Sequence, residues 1–387
     1  MIYTRMRKTY TGCIPVLLLL SALFSFPALT TAKAQDTDAE APALLDANDW
    51  TMIVIPDPQA YSRYTRNQGI FELMTGWIAE AKDPLRVGAV VCVGDLVESN
   101  GVLADGGKFG NQTCVQMWKS VSHAFEKLDG VYPYVLCLGN HDYGPEFMPD
   151  GNHYGIHSSI TRETKFNDYF TPQRNSAWEG TLVEMGTNAF GEKTLENAAY
   201  ELTVPGGKKI LVVALEFVPR DATLQWAKDL FAKEQYADAF GVIVTHSYML
   251  GVAGGLKRIG KEGYPICDGD ANSGEQIWEK LVKPSSNIRL VLCGHISKAD
   301  DFEGCCGCTA DFNDAGKKVT QLLFDTQAMG GGWEGNGGDG WLQLLEFTPD
   351  MKKMRVRTFS PLLWASPTSR CHAWSHEGCC EFETDLD

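Results

Sequence analysis

The 387-residue sequence has no surplus of positive charge: 34 lysines and arginines stand against 49 aspartates and glutamates, for a formal net charge of -15. That excludes a dominant basic nucleic-acid surface, because such binding depends on cations that neutralise phosphates. The sequence also lacks a GxxxxGK[ST] stretch, which removes a nucleotide-triphosphate loop, and it shows no internal repeat. It has little that would span a bilayer. The apolar run 14–29 is broken by Pro15 and Pro27 and falls short of the roughly 20 residues a membrane helix needs. What is present is 44% hydrophobic residues and 21% charged ones, a balance that suits a folded chain and not a disordered one.

Arg5, Arg7 and Lys8 precede the apolar run, and Ala32-Lys33-Ala34 follows it. Basic start, apolar middle and small residues predict a signal peptide over 1–34. Export to the periplasm or the exterior follows, with no transmembrane anchor after cleavage. Residues 35–48 are polar and acidic and are expected to form a flexible leader. The remainder reads as one catalytic domain, 49–363, with an insertion at about 144–200, and a Cys-rich tail, 364–387, packed on that domain.

Within the domain, short apolar runs alternate with amphipathic ones. Strands are expected at 51–55, 87–93, 134–138, 209–216, 240–245 and 288–293, and helices at 68–80, 115–128 and 222–232. Three more strands, 319–325, 341–348 and 354–359, close the chain, with a glycine-rich loop at 330–340. Strands interleaved with helices argue a layered α/β domain.

Five of these strands run into polar groups able to hold a metal: Asp57 with Gln59, Asp95, Asn140 with His141, His246, and His295. In open α/β sheets, ligands gather at the carboxyl ends of the strands. Carboxylates, amide oxygens and neutral imidazoles make a mixed donor shell for Zn, Mn or Fe. Each residue alone has a plain reading as a helix cap or turn, but five such endings point together to a metal centre.

In order, the blocks Asp57-Pro58-Gln59, Gly94-Asp95-Leu96-Val97-Glu98, Gly139-Asn140-His141-Asp142, Thr245-His246 and Gly294-His295 resemble the calcineurin-like metallophosphoesterase superfamily. With Gln in the first block and the stretch 214–221, the chain looks like a secreted bacterial branch of it. The resemblance implies a four-layer αββα sandwich of two mixed β-sheets flanked by helices. It also implies two divalent or mixed-valence metal ions (Mn, Zn, Fe, Mg or Ca). Asp57 and Gln59 would bind the first, Asp95 would bridge both, and Asn140, His246 and His295 would bind the second. His141 would face the substrate's leaving oxygen, with Asp142 as its orienting group.

Two departures stand out. Gln59 replaces a histidine of the first block, and Ser297 replaces the second histidine of a Gly-His-x-His ending. A hydroxyl is a poor substitute for imidazole, so the first site is expected to be weaker, with Asp300 or water completing its shell. Arg220 would either hold a phosphate or pair with Glu216 or Asp221. Tyr143 would wall the pocket, and Trp333 and Trp341 are either core residues or a platform for an organic leaving group. His153 and His157 would lie at the surface or touch substrate. Cys92, Cys137 and Cys293 read as buried thiols. Cys305, Cys306, Cys308, Cys371, Cys379 and Cys380 read as disulfide formers, with a structural zinc site on Cys305-Cys306-Gly307-Cys308 as the less favoured reading, and Cys114 with Cys267 as a further pair. The expected function is metal-dependent hydrolysis of small phosphoesters. The alternative is a catalytically weak metal-containing binding module on the same scaffold. The sequence sets no oligomeric state.

Overall fold

Short apolar runs bounded by glycine, proline and acidic residues become strands, and the alternating segments become helices. The structure, a computed structural model, describes residues 41–148, 161–252, 255–263 and 269–387. The expected signal peptide, His153, His157 and Cys267 lie outside them.

The strands follow in chain order. They begin with β1 (Trp50–Ile55), β2 (Val87–Cys92), β3 (Tyr134–Leu136), β4 (Leu182–Thr187), β5 (Lys193–Thr203), β6 (Lys209–Ala214), β7 (Phe240–Val244) and β8 (Met249–Val252). They continue with β9 (Gly255–Arg258), β10 (Ile288–Cys293), β11 (Cys306–Phe312), β12 (Lys318–Phe324), β13 (Leu342–Phe347), β14 (Lys353–Phe359), β15 (Trp374–Ser375) and β16 (Phe382–Asp385). One mixed sheet runs β15-β14-β13-β1-β2-β3, with β16 also paired to β14. The second mixed sheet runs β11-β12-β10-β7-β6-β5-β4, and β8 and β9 form a small hairpin. β1, β2 and β3 are parallel, as are β6, β7, β10 and β12. Their carboxyl ends are where the polar blocks begin.

The sheets pack face to face, and the pleat decides which side chain meets which layer. Ile210, Val212 and Ala214 of β6, Val242 and Val244 of β7, and Leu290 and Leu292 of β10 join the core shared with the first sheet. The alternate residues Leu211, Val213, Ile243 and Val291 pack instead with Leu224, Ala227, Leu230 and Leu281 of the outer helical layer. On the far side, Phe71, Met74 and Ile78 of the helix Thr65–Glu80 and Met117, Trp118 and Val121 of the helix Cys114–Glu126 cover the first sheet. This is the expected α/β sandwich of two mixed sheets flanked by helices. Among the described residues, no helix is long and apolar enough to cross a membrane.

The stretch 144–200 is not wholly a loop outside the sheets. Its later half supplies β4 and most of β5, the edge of the second sheet. Part of the leader is also held down: Leu45 N–H donates to Glu346 at 3.1 Å, and Arg357 donates to the Ala43 carbonyl at 2.8 Å. The described cysteines, including the late cluster, carry free thiols, and Cys92, Cys137 and Cys293 are buried as expected.

Candidate metal centre at the sheet edges

Each polar block sits where its strand stops, and glycine makes the approach possible. A Cβ at Gly94 would lie 2.5 Å from His246 Nδ1, one at Gly139 2.1 Å from Asp95 Oδ1, and one at Gly294 2.2 Å from Asp57 Oδ1. No side chain fits at these three positions, so the glycine of each Gly-Asp, Gly-Asn and Gly-His pair brings one block against another. Asp95 and His295 themselves take positive φ values, 47° and 75°. Such left-handed backbone is uncommon outside glycine and is tolerated where surrounding structure holds it.

At the centre, His246 Nε2 lies 3.0 Å from Asp95 Oδ2 and 4.0 Å from Asp57 Oδ2. His295 Nδ1 is 3.2 Å from His246 Nε2. Ligand atoms of Asp95, His246 and His295 all fall within 4.8 Å of one another. Outer groups fix the rings. The Val93 carbonyl lies 2.8 Å from His246 Nδ1, which turns Nε2 inward. Glu262 stands 3.6 Å from His295 Nε2, on the side opposite Nδ1, and accepts a short bond from Ser247. A carbonyl or carboxylate behind a ligating imidazole is the usual support of a metal site.

The electrostatics match. Burial, together with the Asp325 and Asp95 carboxylates, pushes the Asp57 carboxyl well above its usual range. Burial raises Asp325 as well. Asp95 is buried too, yet His246, His141 and His295 hold it below the ordinary carboxylate range. Burial opposes charge on His246, but adjacent Asp95 overrides it and raises the imidazole's pKa. Asp57 Oδ1 and Gln59 Oε1 are buried without a hydrogen-bond partner. Buried polar atoms are nearly always paired. Two bare oxygens beside a cluster of carboxylates and inward-turned imidazoles are the donors a divalent cation takes, so the residues fit the metal that the motifs imply.

A cavity of about 210 Å³ opens onto this centre, lined by Gln59, Asp95, Asn140, His141, His295 and Gln327, with Arg63, Glu98 and Trp333 at its walls. His141 N–H donates to Asp95 Oδ1 at 2.9 Å, and its ring Nδ1 meets the Glu98 carbonyl at 2.6 Å. Burial lowers the pKa of His141, with Asp95 and that carbonyl pulling the other way. Trp333 is half exposed, whereas Trp341 is buried and packs edge-on against Phe302.

Several expected roles go elsewhere. Asp142 does not orient His141: its oxygens accept the Val97 and Gly139 N–H groups at 3.1 and 2.9 Å and tie the two loops together. Burial and nearby Asp95 push its pKa up to about 8. Arg220 is spent on Glu216, at 2.9 Å, and on the Thr187 carbonyl. Tyr143 points away from the cavity lining and donates to Glu196 at 3.0 Å. Ser297 donates to the Asp325 carbonyl at 3.0 Å. Asp300 is exposed and accepts from Gly331 N–H at 3.0 Å.

Sequence reasoning passed over Arg63, Glu98, Glu262, Asp325 and Gln327. For Asp325 the signal existed, since β12 runs into a carboxylate as the other strands do. For Arg63 and Glu262 there was none, because both sit in loops whose partners are distant in the chain.

A two-sheet sandwich with a carboxylate–imidazole cluster at its strand ends defines a metallophosphoesterase-like scaffold. The chain belongs to the calcineurin-like phosphoesterase family, whose model matches residues 51–298. It is similar to the uncharacterized protein YvnB of Bacillus subtilis (strain 168), 26% identical over 319 residues. That match takes in 81% of this chain but only 20% of the relative, so the chain spans about a fifth of that protein's length. Among solved structures it is similar to GAP50, the anchor in the inner membrane complex of Plasmodium, at 13% identity and a TM-score of 0.40, covering 88% of this chain and 89% of the other.

Proposed function

We propose that the protein is an exported, metal-dependent hydrolase in a secreted bacterial branch of its family, and that it cleaves phosphoester bonds of small organic phosphates through an activated water. One observation carries this reading: Asp95, the residue common to both expected donor sets, lies against His246 at 3.0 Å and against the His141 backbone at 2.9 Å, on the wall of an open cavity. When bound, two divalent or mixed-valence cations supply charge neutralisation and a water of lowered pKa.

The chain's own residues do the rest. Asp57, Gln59 and Asp95 form one donor set, and Asp95, Asn140, His246 and His295 the other. His141, fixed through Nδ1 by the Glu98 carbonyl, handles the proton at the leaving oxygen through Nε2. Such positioned acid–base help is worth about 10²- to 10⁴-fold. Arg63 takes the phosphate-steering role that one of two readings gave Arg220, since it lines the cavity and its guanidinium is fixed by the Lys108 and Trp333 carbonyls and by the Glu334 carboxylate at 2.8 Å. Trp333 offers an aromatic face to an organic group.

The test is to strip the protein of metal, add back Mn, Zn, Mg, Ca or Fe singly, and assay aryl phosphate and bis-aryl phosphate. Hydrolysis should appear with at least one metal, and should fall by about 10²-fold or more in Asp95→Asn and His141→Ala. Hydrolysis no greater than in those variants with every metal overturns the enzyme reading in favour of a metal-containing binding module.

A further inference from the structure

We propose that Asp325 is a ligand of the first metal site and takes the place left by the imidazole missing at Ser297. This rests on the metal-centre reading above and adds to it a residue from outside the family's motif blocks.

Ser297 itself is committed. Its hydroxyl donates to the Asp325 carbonyl at 3.0 Å and accepts from Ala328 N–H at 3.4 Å, so it serves the turn after β12. That bond fixes the backbone of Asp325, the first residue beyond β12, and β12 lies beside β10, which carries His295. The Asp325 side chain is fully buried and lies beside the Asp57 carboxyl. Its oxygens are oriented by Gln327, whose backbone N–H reaches Oδ1 at 3.1 Å and whose amide reaches Oδ2 at 3.0 Å. Gln327 also accepts from the Gln59 amide nitrogen. The amide oxygen of Gln59 is thereby left buried and unpartnered, as is Asp57 Oδ1.

Two adjacent, fully buried carboxyls must share a proton or a cation, because neither can carry its charge there alone. The bare amide oxygen of Gln59 decides between these. A proton shared by the acid pair gives Gln59 Oε1 no partner, whereas a cation uses it together with the carboxylate oxygens. With Asp95 the shell becomes Asp57, Gln59, Asp95 and Asp325, all oxygen. Such a shell suits Mn, Mg or Ca, while the imidazole-rich site beside it suits Zn or Fe. The first site is then not deprived of a donor but changed in kind.

The experiment uses the full chain, stripped of metal and titrated with Mn alone, with bound Mn counted after desalting and affinities measured by calorimetry. Wild type should hold two Mn per chain, with the exchange-coupled paramagnetic resonance signal of a close pair. Asp325→Asn should hold one ion and lose the coupled signal, or bind the second at least about tenfold more weakly, the least that removing even a supporting group costs. Asp300→Asn, at an exposed carboxylate that accepts from Gly331 N–H, should match wild type. Equal stoichiometry and affinity in Asp325→Asn and wild type overturns the assignment while leaving the metal centre standing. No Mn uptake by wild type overturns both. Because a buried substitution can unfold a protein, wild-type crystals soaked in Mn give a second readout. An anomalous peak within coordination distance of Asp325 supports the assignment, and a first-site peak whose shell omits Asp325 overturns it.

Discussion

At the scale of single residues, the cavity departs from its expected chemistry most at Glu98. Its carboxyl is buried, and burial drives its pKa up to about 8, with Arg63 offsetting part of the effect and Asp95 adding to it. A carboxyl still largely protonated near neutral pH adds no negative charge to the wall of a pocket built for an anion. The sign of the linkage follows. The folded state binds this proton more tightly than the unfolded state does, so the stability it contributes is full below the unfolded pKa of about 4.5 and is lost as pH rises through about 8. Glu98→Gln mimics the protonated form and cannot lose it. Urea unfolding should find variant and wild type alike at pH 4.5, with the variant gaining on wild type by on the order of a few kcal/mol by pH 9. Parallel pH profiles would show that Glu98 is not desolvated. Glu98 also shows why such a residue was illegible: it was read only as the tail of the Gly94-Asp95 block, and the charges that act on it include Arg63, Glu334 and Lys108, all from other segments.

At the scale of elements, strands with apolar runs were legible almost to their ends: β10, at 288–293, is buried except at half-buried Arg289 and carries no competing helical pattern. The hairpin of β4 and β5 was not. β5 buries Glu196 and Asn197, and those polar residues hid a strand inside what was expected only as an insertion. Its burial is satisfied by contacts that no local pattern shows: Tyr143, Asn167 and Asn188 all hydrogen-bond Glu196. The tail carries two short strands that no apolar run announced. β15 and β16 add to β14, which brings the vicinal pair Cys379 and Cys380 to Cys305 and Cys306 at the start of β11. Sulfurs within each vicinal pair lie 3.8 and 3.7 Å apart, and the Cys306 and Cys380 thiols face each other across the gap. The described cysteines do not meet the spacing of a shared metal, which only Asp95, His246 and His295 meet among the described residues. An oxidising buffer of glutathione disulfide should therefore join Cys306 to Cys380, each link releasing two electrons and two protons to the glutathione. Peptide mapping after alkylation should recover that cross-linked pair, and the oxidised protein should gain roughly 2–4 kcal/mol. Recovery of both cysteines as alkylated thiols would count against it.

At the scale of the whole molecule, the site belongs to neither sheet. β1, β2 and β3 deliver Asp57, Asp95 and Asn140 from one, while β7, β10 and β12 deliver His246, His295 and Asp325 from the other. The order of blocks along the chain was enough to anticipate this convergence, since parallel strands all end on the same edge. What no local pattern carried was that Asp325 of the second sheet would lie beside Asp57 of the first, in a chain whose net charge is already -15. Metal-free, Asp57 and Asp325 can meet across the sheets only by keeping a proton between them, and a bound cation would replace that proton and bridge the two edges. Metal binding should therefore stabilise the entire domain and not a loop alone, because cation that binds only the folded state adds RT ln(1 + [L]/Kd), about 2.7 kcal/mol at a hundredfold excess over Kd. Calorimetric melting of chelated protein should show one transition that rises by a few degrees as Mn is added. Asp95→Asn, which weakens both donor sets at once, should lose most of that rise, whereas Arg220→Ala should keep it, whatever its own melting point. A melting temperature indifferent to every divalent cation would mean that the two sheets close without metal, and that the carboxylates at their edge are held by protons.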